Sequence, residues 1–345
     1  MLIDWYMNQK ISFPWRSFKS NLYRTWISEI MLQQSQVKTV IPYFNAWIKK
    51  FPDIHSLSNA TIDEVLKSWE GLGYYRRAHY IHQASKLFSI NHNGKIPDTY
   101  DELIKIPGIG DYTASAILAI GNNLPLFAVD GNFIRVFSRF FKINGSKLKI
   151  TKQIKNNLSQ LEIADFCSFN QAVMDLGRTI CKPTPTCNIC PISIDCLAHK
   201  HLQTDKYPQK STKKNTPLYN VVVGIVYKMN NFIITKRNPE GLLGGLWELP
   251  GGKVKKGETK ENALKREIRE ELNITIEIQK KLPNVRHEYS HFKVNIFPYF
   301  CSYKGGKVSL DGPVAWDWIN INEIKTKSFP KATHKVFNLI DNISI

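Results

Sequence analysis

The chain has 345 residues, 47 lysines and arginines against 29 aspartates and glutamates, and a formal net charge of +18. At roughly 150 residues per domain this length predicts two domains, each able to bury a core, and a hydrophobic content of 43% predicts that most of the chain folds. No apolar run reaches the roughly 18–20 residues of a membrane span, and Met1–Tyr6 lacks the charged-then-apolar order of a secretory signal. These features argue against a membrane or disulfide-rich secreted protein and for the cytosol, and the charge fits either a polyanion partner or simply a soluble basic protein.

In chain order, residues 1–200 read as helical. Tyr23 to Lys38 and Asp63 to Trp69 carry apolar residues at helical spacing, and Thr113 to Ile120 reads as an apolar helix of small residues. Turn signals separate the helices at Phe51-Pro52-Asp53, Gly71-Leu72-Gly73, Pro107-Gly108-Ile109-Gly110 and Gly121-Asn122-Asn123. Residues 201–217, with Lys206, Lys210, Lys213 and Lys214, read as a basic linker. After it, Tyr219 to Met229, Asn231 to Lys236 and Val294 to Tyr303 are strand-like, and Glu261 to Leu272 reads as a helix with many charge pairs. Residues 218–345 are therefore expected to mix α and β.

Four of the six cysteines, Cys181, Cys187, Cys190 and Cys196, fall in one short segment with the spacing C-x5-C-x2-C-x5-C, while Cys167 and Cys301 stand alone. In a reducing compartment such a cluster reads as metal ligands. Four thiolates suit tetrahedral zinc or an iron–sulfur cluster, and the spacing leaves both open.

Leu103 to Gly110 runs from a helix end into a Pro-Gly-x-Gly turn ahead of another helix. Gly108 and Gly110 allow a tight backbone whose amides suit a DNA phosphate at a helix N-terminus. A plain helix–helix turn is the bland alternative. Asp130, in Ala128-Val129-Asp130-Gly131-Asn132, alone reads as a helix cap. A helix-hairpin-helix, then an Asp at this interval, then a four-cysteine loop, is far more specific. Together they resemble the helix-hairpin-helix DNA glycosylase superfamily with its 4Fe–4S loop, at 181–196 within a 1–200 domain.

Three blocks discriminate within that superfamily. The endonuclease III branch carries a nucleophilic lysine in G-x-G-x-K-T-A; here Gly108-Ile109-Gly110-Asp111-Tyr112-Thr113-Ala114 has Tyr112 at that position, so a Schiff-base lyase step lacks its amine. Trp26 to Val37, containing Ser-Glu-Ile-Met-Leu-Gln-Gln, and Gly71-Leu72-Gly73-Tyr74-Tyr75-Arg76-Arg77-Ala78 resemble the adenine DNA glycosylases, the MutY family. Phe13-Pro14-Trp15-Arg16 and Phe169 to Gly177 match the same family.

The resemblance implies a monofunctional base-excision enzyme. It would flip adenine, mispaired with 8-oxoguanine or guanine, out of duplex DNA and cleave its glycosidic bond. Glu29 corresponds to the general acid that protonates the leaving base, a role that needs a raised pKa. Asp130 corresponds to the carboxylate that stabilises the sugar cation and must stay ionised to do so. Tyr112 and Asn132 correspond to residues that orient them. Outside this motif Glu29 would read as an exposed helix carboxylate. The resemblance assigns DNA contacts to Gln34, Ser35, Leu72, Tyr74, Gly108 and Gly110, with Gln34 and Tyr74 wedging into the stack. Arg76, Arg77 and Arg135 read equally as phosphate contacts and as solvated charges.

The second half contains Gly252, Glu258, Arg266, Glu267, Ile268, Glu270, Glu271 and Ile274 at the positions of the Nudix box, with Asn273 where the box has Gly. Asn tolerates the left-handed backbone that position needs. Glu267, Glu270 and Glu271 share one helix face, which suits Mg2+ against a pyrophosphate or, blandly, salt bridges with Lys265, Arg266 and Arg269. In the MutY family this domain reads 8-oxoguanine, and Ser290 and His291 in His287-Glu288-Tyr289-Ser290-His291-Phe292 resemble the residues that do so. The expected architecture is multidomain: an all-α helix-hairpin-helix glycosylase domain with an iron–sulfur loop, then an α+β Nudix-like domain. The expected partner is double-stranded DNA bound by a cytoplasmic, nucleoid-associated monomer. Two alternatives remain at this point: a Nudix nucleotide hydrolase tethered to DNA by its helical half (or both activities in one chain), and a damage-binding protein without catalysis. The family's cysteine loop usually has one more residue in its first gap.

Overall fold

The computed structural model describes residues 1–9, 11–16, 21–209 and 216–340. Of the linker lysines, Lys206 lies in a short 3-10 turn, whereas Lys210, Lys213 and Lys214 fall outside the described residues. Contacts gather the chain into two compact units. The first takes in the described residues up to Asn59 and from Tyr80 to 209; the second takes in Ala60–His79 together with the described residues from 216 to 340. The stretch 60–79, which lies inside the helical half of the sequence, thus packs with the second unit.

Helices build the first unit: α1 (Leu2–Asn8), α2 (Leu22–Leu32), α3 (Val37–Lys50) and α4 (Ile54–Asn59). Helix α5 (Ile62–Trp69) belongs to the second unit, and α6 (Arg76–Asn91) leads back into the first. There follow α7 (Tyr100–Leu103), α8 (Asp111–Asn122), α9 (Gly131–Phe140), α10 (Lys147–Leu158), α11 (Phe166–Thr179) and α12 (Leu197–Lys200).

The single helix expected over 23–38 is two helices. Gln34 adopts φ 57°, a left-handed conformation that ends α2 and turns the chain before α3. Helix α2 is buried nearly all round, polar Thr25, Ser28 and Glu29 included, because it packs on α3 and on the small-residue helix α8. Beneath the other side of the site, Phe127, Phe133, Phe137 and Phe169 form an aromatic core, with the Phe137 and Phe169 rings stacked at 6.3 Å. Phe133 is fully buried, which contributes about 1.5–3 kcal/mol and anchors the start of α9.

The second unit is built on one mixed sheet. Its strands are β1 (Leu218–Lys228), β2 (Asn231–Lys236), β3 (Trp247–Glu248) and β4 (Gly251–Lys253), then, beyond α13 (Lys260–Leu272), β5 (Thr275–Lys281), β6 (Val285–Glu288), β7 (Lys293–Gly305) and β8 (Ala315–Ile319); α14 (Lys331–Phe337) closes the unit. Strand order along the main path is β3-β2-β1-β7-β5, with β4 on β1, β6 on β7 and β8 on β2. The β1–β7 pair is parallel, Leu218 opposite Lys293 through Tyr227 opposite Ser302, and the other pairs are antiparallel. Strands β5, β6 and β8 were not expected from the sequence, although Ile276 and Ile278 alternate with polar residues along β5. Helix α13 packs Ala263, Leu264, Ile268 and Leu272 on one face of the sheet. Asn273 ends it at φ 55°, the left-handed cap that the sequence required of it.

Candidate active site

One cleft in the first unit, about 1350 Å³, is lined by Glu29, Gln34, Ser35, Gly108, Gly110, Tyr112, Asp130 and Asn132, eight of the residues singled out in the sequence. Helix α2 supplies Glu29, the break after it supplies Gln34 and Ser35, and α8 supplies Tyr112. Gly108 sits at φ 82°, and a Cβ there would lie 2.4 Å from Tyr80 Cβ, so the hairpin closes this tightly only with glycine.

Glu29 is 5% exposed, and Tyr112 Oη donates to its Oε2 at 2.5 Å. Burial pushes the Glu29 carboxyl up to about 7; the Tyr112 hydrogen bond pulls it down, nearby Asp130 raises it and Arg16 lowers it. Tyr112 is itself held well above the usual phenol range, by burial and then by the Glu29 and Asp130 charges. Asp130 is the N-cap of α9: its Oδ1 accepts from Phe133 N at 2.8 Å and its Oδ2 from Asn132 Nδ2 at 2.7 Å. The cap reading and the functional reading therefore describe the same side chain. Burial raises the Asp130 pKa, against the ionised state expected of it from the sequence, while the Phe133 and Asn132 hydrogen bonds and the Arg135 charge favour the anion.

Asn132 links this site to the cysteine segment. Its Oδ1 accepts from Arg135 Nη2 at 2.7 Å; the same guanidinium donates to Gly177 O at 2.6 Å and Cys181 O at 2.7 Å. A Cβ on Gly177 would fall 2.6 Å from Asn132 Cβ, so glycine lets α11 approach α9 here. Arg135 is therefore an internal tie. Arg77 is internal too: it is buried, donates to Gly73 O at 3.0 Å and stacks over the Trp69 and Tyr74 rings. Both guanidiniums are thus held by groups of the protein itself. Sequence reasoning also passed over Arg16 and Asp175. Asp175 is 1% exposed and pairs with Arg16 at 2.5 Å and Arg178 at 3.1 Å on the cleft wall; the Phe-Pro-Trp-Arg block was the available signal for Arg16.

The four clustered cysteines line a second, apolar pocket with Val136, Leu176, Ile180 and Ile192. Burial raises the Cys187, Cys190 and Cys196 thiols, Cys190 to about 11. Arg139 donates to Cys181 Sγ at 3.3 Å and to the carbonyls of Lys182, Pro183, Thr204 and Tyr207 at 2.6–3.1 Å, closing the shortened first gap. A single tetrahedral ion needs its sulfurs about 2.3 Å from one point, and among the described residues no three His, Cys, Asp or Glu side chains gather around one ion. Four thiols lining one apolar pocket, one already accepting a hydrogen bond, fit the donor set of an iron–sulfur cluster.

In the second unit, Tyr74, at φ 50°, hydrogen bonds through its hydroxyl to Ser290 Oγ in the turn between β6 and β7, and His291 beside it is exposed. Leu72 is buried, 7% exposed, and presents little surface to a ligand. On α13 the Arg266 guanidinium bonds Glu258 at 2.8 and 2.9 Å, Glu267 at 2.7 Å and Glu270 at 2.9 Å. Glu271 instead accepts from Gly251 N at 3.1 Å, and burial followed by the Glu248 charge pushes it up to about 8. The three box carboxylates thus do not converge on one point.

A family model described as HhH-GPD superfamily base excision DNA repair protein matches residues 27–160, and one described as NUDIX domain matches 221–339. The first unit has the fold of a thermostable thymine-DNA glycosylase, with a TM-score of 0.53 at 22% identity over 58% of this chain and 94% of that one. An endonuclease III bound non-covalently to DNA gives a TM-score of 0.50 at 21% identity, again over 58% and 94%. The helical half is therefore a helix-hairpin-helix base-excision repair domain, followed by a Nudix-like α+β domain. The adenine DNA glycosylase of Buchnera aphidicola subsp. Schizaphis graminum is 33% identical over 98% of this chain and 97% of its own. That of Buchnera aphidicola subsp. Acyrthosiphon pisum is 36% identical over 86% and 84%, and that of Homo sapiens 28% identical over 98% and 73%. The chain belongs to the adenine DNA glycosylase family, and it is a DNA repair hydrolase. Among the described residues no helix is long and apolar enough to cross a membrane.

Proposed function

We propose that the enzyme excises adenine mispaired with 8-oxoguanine or guanine in duplex DNA, with Glu29 as general acid and Asp130 as the stabiliser of the sugar cation. The observation that carries this reading is Glu29 itself: a buried carboxyl near pKa 7, hydrogen bonded to Tyr112 in a cleft shared with Asp130. A carboxylic acid tuned to neutral pH gives its proton to a leaving base efficiently. Tyr112 and Asn132 hold the two carboxyls in position. A base inside a duplex is out of reach, so the adenine is flipped out, with Gln34 and Tyr74 wedging into the stack and the amides at Gly108 and Gly110 taking a phosphate.

Ser290 and His291 read 8-oxoguanine through hydrogen bonds. The Nudix box serves as a scaffold for that reader: Arg266 ties Glu258, Glu267 and Glu270 into ion pairs, while Glu271 turns to Gly251 N, so the box carboxylates are not gathered for Mg2+. Cys181, Cys187, Cys190 and Cys196 would hold a 4Fe–4S cluster, which supplies a covalent cross-link across the loop when bound. The protein acts as a monomer on the nucleoid.

Incubation with a labelled A:8-oxoguanine duplex followed by alkali should cut the adenine strand. Absence of scission, or full activity after Glu29→Gln, overturns the assignment. Purified protein should be brown and contain iron; a colourless, iron-free, folded and active enzyme overturns the cluster. Mg2+-dependent release of pyrophosphate from an oxidised nucleotide, lost in Glu271→Gln, would overturn the scaffold reading of the Nudix box.

A further inference from the structure

Helix α10 is absorbed by none of these roles. Its sequence, KLKITKQIKNNL, carries Lys147, Lys149, Lys152 and Lys155 and no acid. Ile150, Ile154 and Leu158 bury one face against the core. On the other side Lys149, Lys152 and Lys155 follow one another at i, i+3 and i+6, so like charges run along a ridge. Such spacing repels within a helix, and among the described residues no carboxylate pairs with Lys147, Lys149 or Lys152.

Both ends of this helix meet the site. Lys147 lines the cleft that holds Glu29 and Asp130. Lys155 Nζ reaches Asp111 Oδ1 at 2.7 Å, and Tyr100 Oη donates to the same oxygen at 2.8 Å. Asp111 is the first residue of α8, directly after the hairpin glycines. A bare carboxylate there would repel a phosphate from the hairpin amides, and Lys155 cancels that charge. From Lys147 to Lys155 the helix rises about 12 Å, the axial length of roughly three or four phosphates on one DNA strand.

We propose that α10 continues the phosphate track begun at the hairpin, gripping the backbone of one strand of duplex DNA through Lys149 and Lys152 and neutralising Asp111 through Lys155. This rests on the glycosylase reading, since it takes the hairpin as the phosphate site. Lys149 and Lys152 are point charges that read no base edge, so their grip contributes affinity and register without sequence preference.

The test measures binding against salt by fluorescence anisotropy, on an undamaged duplex and on an A:8-oxoguanine duplex, in a Glu29→Gln background that leaves the adenine in place. The slope of log K on log salt should fall by about 0.9 for each phosphate that is no longer neutralised, hence by roughly 1.8 in Lys149→Gln/Lys152→Gln, equally on both duplexes and with unchanged melting temperature. Lys149→Arg/Lys152→Arg should keep the slope. An unchanged slope in the folded glutamine variant, or weaker binding confined to the lesion duplex, overturns the proposal. Strand scission by the unaltered enzyme reports separately on the glycosylase reading.

Discussion

With Glu29 as the proposed general acid, its protonation decides the rate. With its carboxyl at about 7, single-turnover excision should be flat at acid pH and fall as pH rises through about 7, where the acid loses its proton. Glu29→Gln should cost roughly 10²-fold to 10⁴-fold in rate and abolish that limb; a pH-independent wild-type rate between 5 and 9 would contradict the assignment. Tyr112→Phe removes a hydrogen bond that lowers the Glu29 pKa, so the alkaline limb should move to higher pH, and a move downward would show that Tyr112 acts otherwise. The same titration touches stability. The folded pKa lies above the ordinary 4.5, so the folded state binds the extra proton and stability falls as pH climbs from about 4.5 to 7. The shift of 7 − 4.5 = 2.5 units makes the loss about 3 kcal/mol, measurable as a melting difference between wild type and Glu29→Gln that widens from pH 5 to 8. Glu29, Tyr112, Asp130 and Asn132 were legible in the sequence because each lies in a short local motif. The left-handed turn at Gln34 was not, because the apolar spacing on either side continues as though one helix ran through it.

At the level of elements, α9 carries the argument. Asp130 caps its first turn, Asn132 and Arg135 sit one turn apart, and Arg139 at its far end holds the cysteine segment. The helix therefore fixes the Asp130 carboxylate and the thiols to a common frame. Arg135→Ala would leave the Gly177 and Cys181 carbonyls without this donor, at a cost of about 1–3 kcal/mol, so thermal melting should drop by several degrees. A variant that melts like wild type would remove Arg135 from the frame. Nothing in the spacing of Arg135 announced this role: a basic residue on a helix of a cationic protein reads first as a DNA contact, and only the approach of α11 across Gly177 turns it inward. The strand pairing in the second unit was equally hidden, since β1 and β7 are separated in the chain by β2 to β6 and α13 and pair only through long-range closure. The Nudix box, by contrast, was readable down to its cap, because Asn273 answers a local backbone requirement.

Over the whole molecule, a charge of +18 is spread on both halves of the sequence and supplies attraction to any duplex, so discrimination must come from a few polar atoms. Ser290→Ala/His291→Ala should narrow the ratio of excision rates opposite 8-oxoguanine and guanine while general DNA affinity changes little; a ratio equal to wild type would remove that turn from lesion reading. The two-part organisation was readable from the composition shift near residue 201, but the membership of 60–79 was not. That segment reaches its partners through Asp63 to Lys236, Lys67 to Lys327 O, His79 to Gly244 O and Glu70 to both Phe329 N and His334, groups about 160 to 270 residues away in the chain. This has a consequence for synthesis. At roughly 5–20 residues per second on the ribosome, the groups that this segment hydrogen bonds, from Lys236 to His334, are made on the order of ten seconds or more after it. The nascent chain then carries a segment whose polar partners are missing while its amino-terminal helices are already available to fold, so a pause or truncation between 210 and 330 should send the product to chaperones or proteases instead of releasing a working half-enzyme.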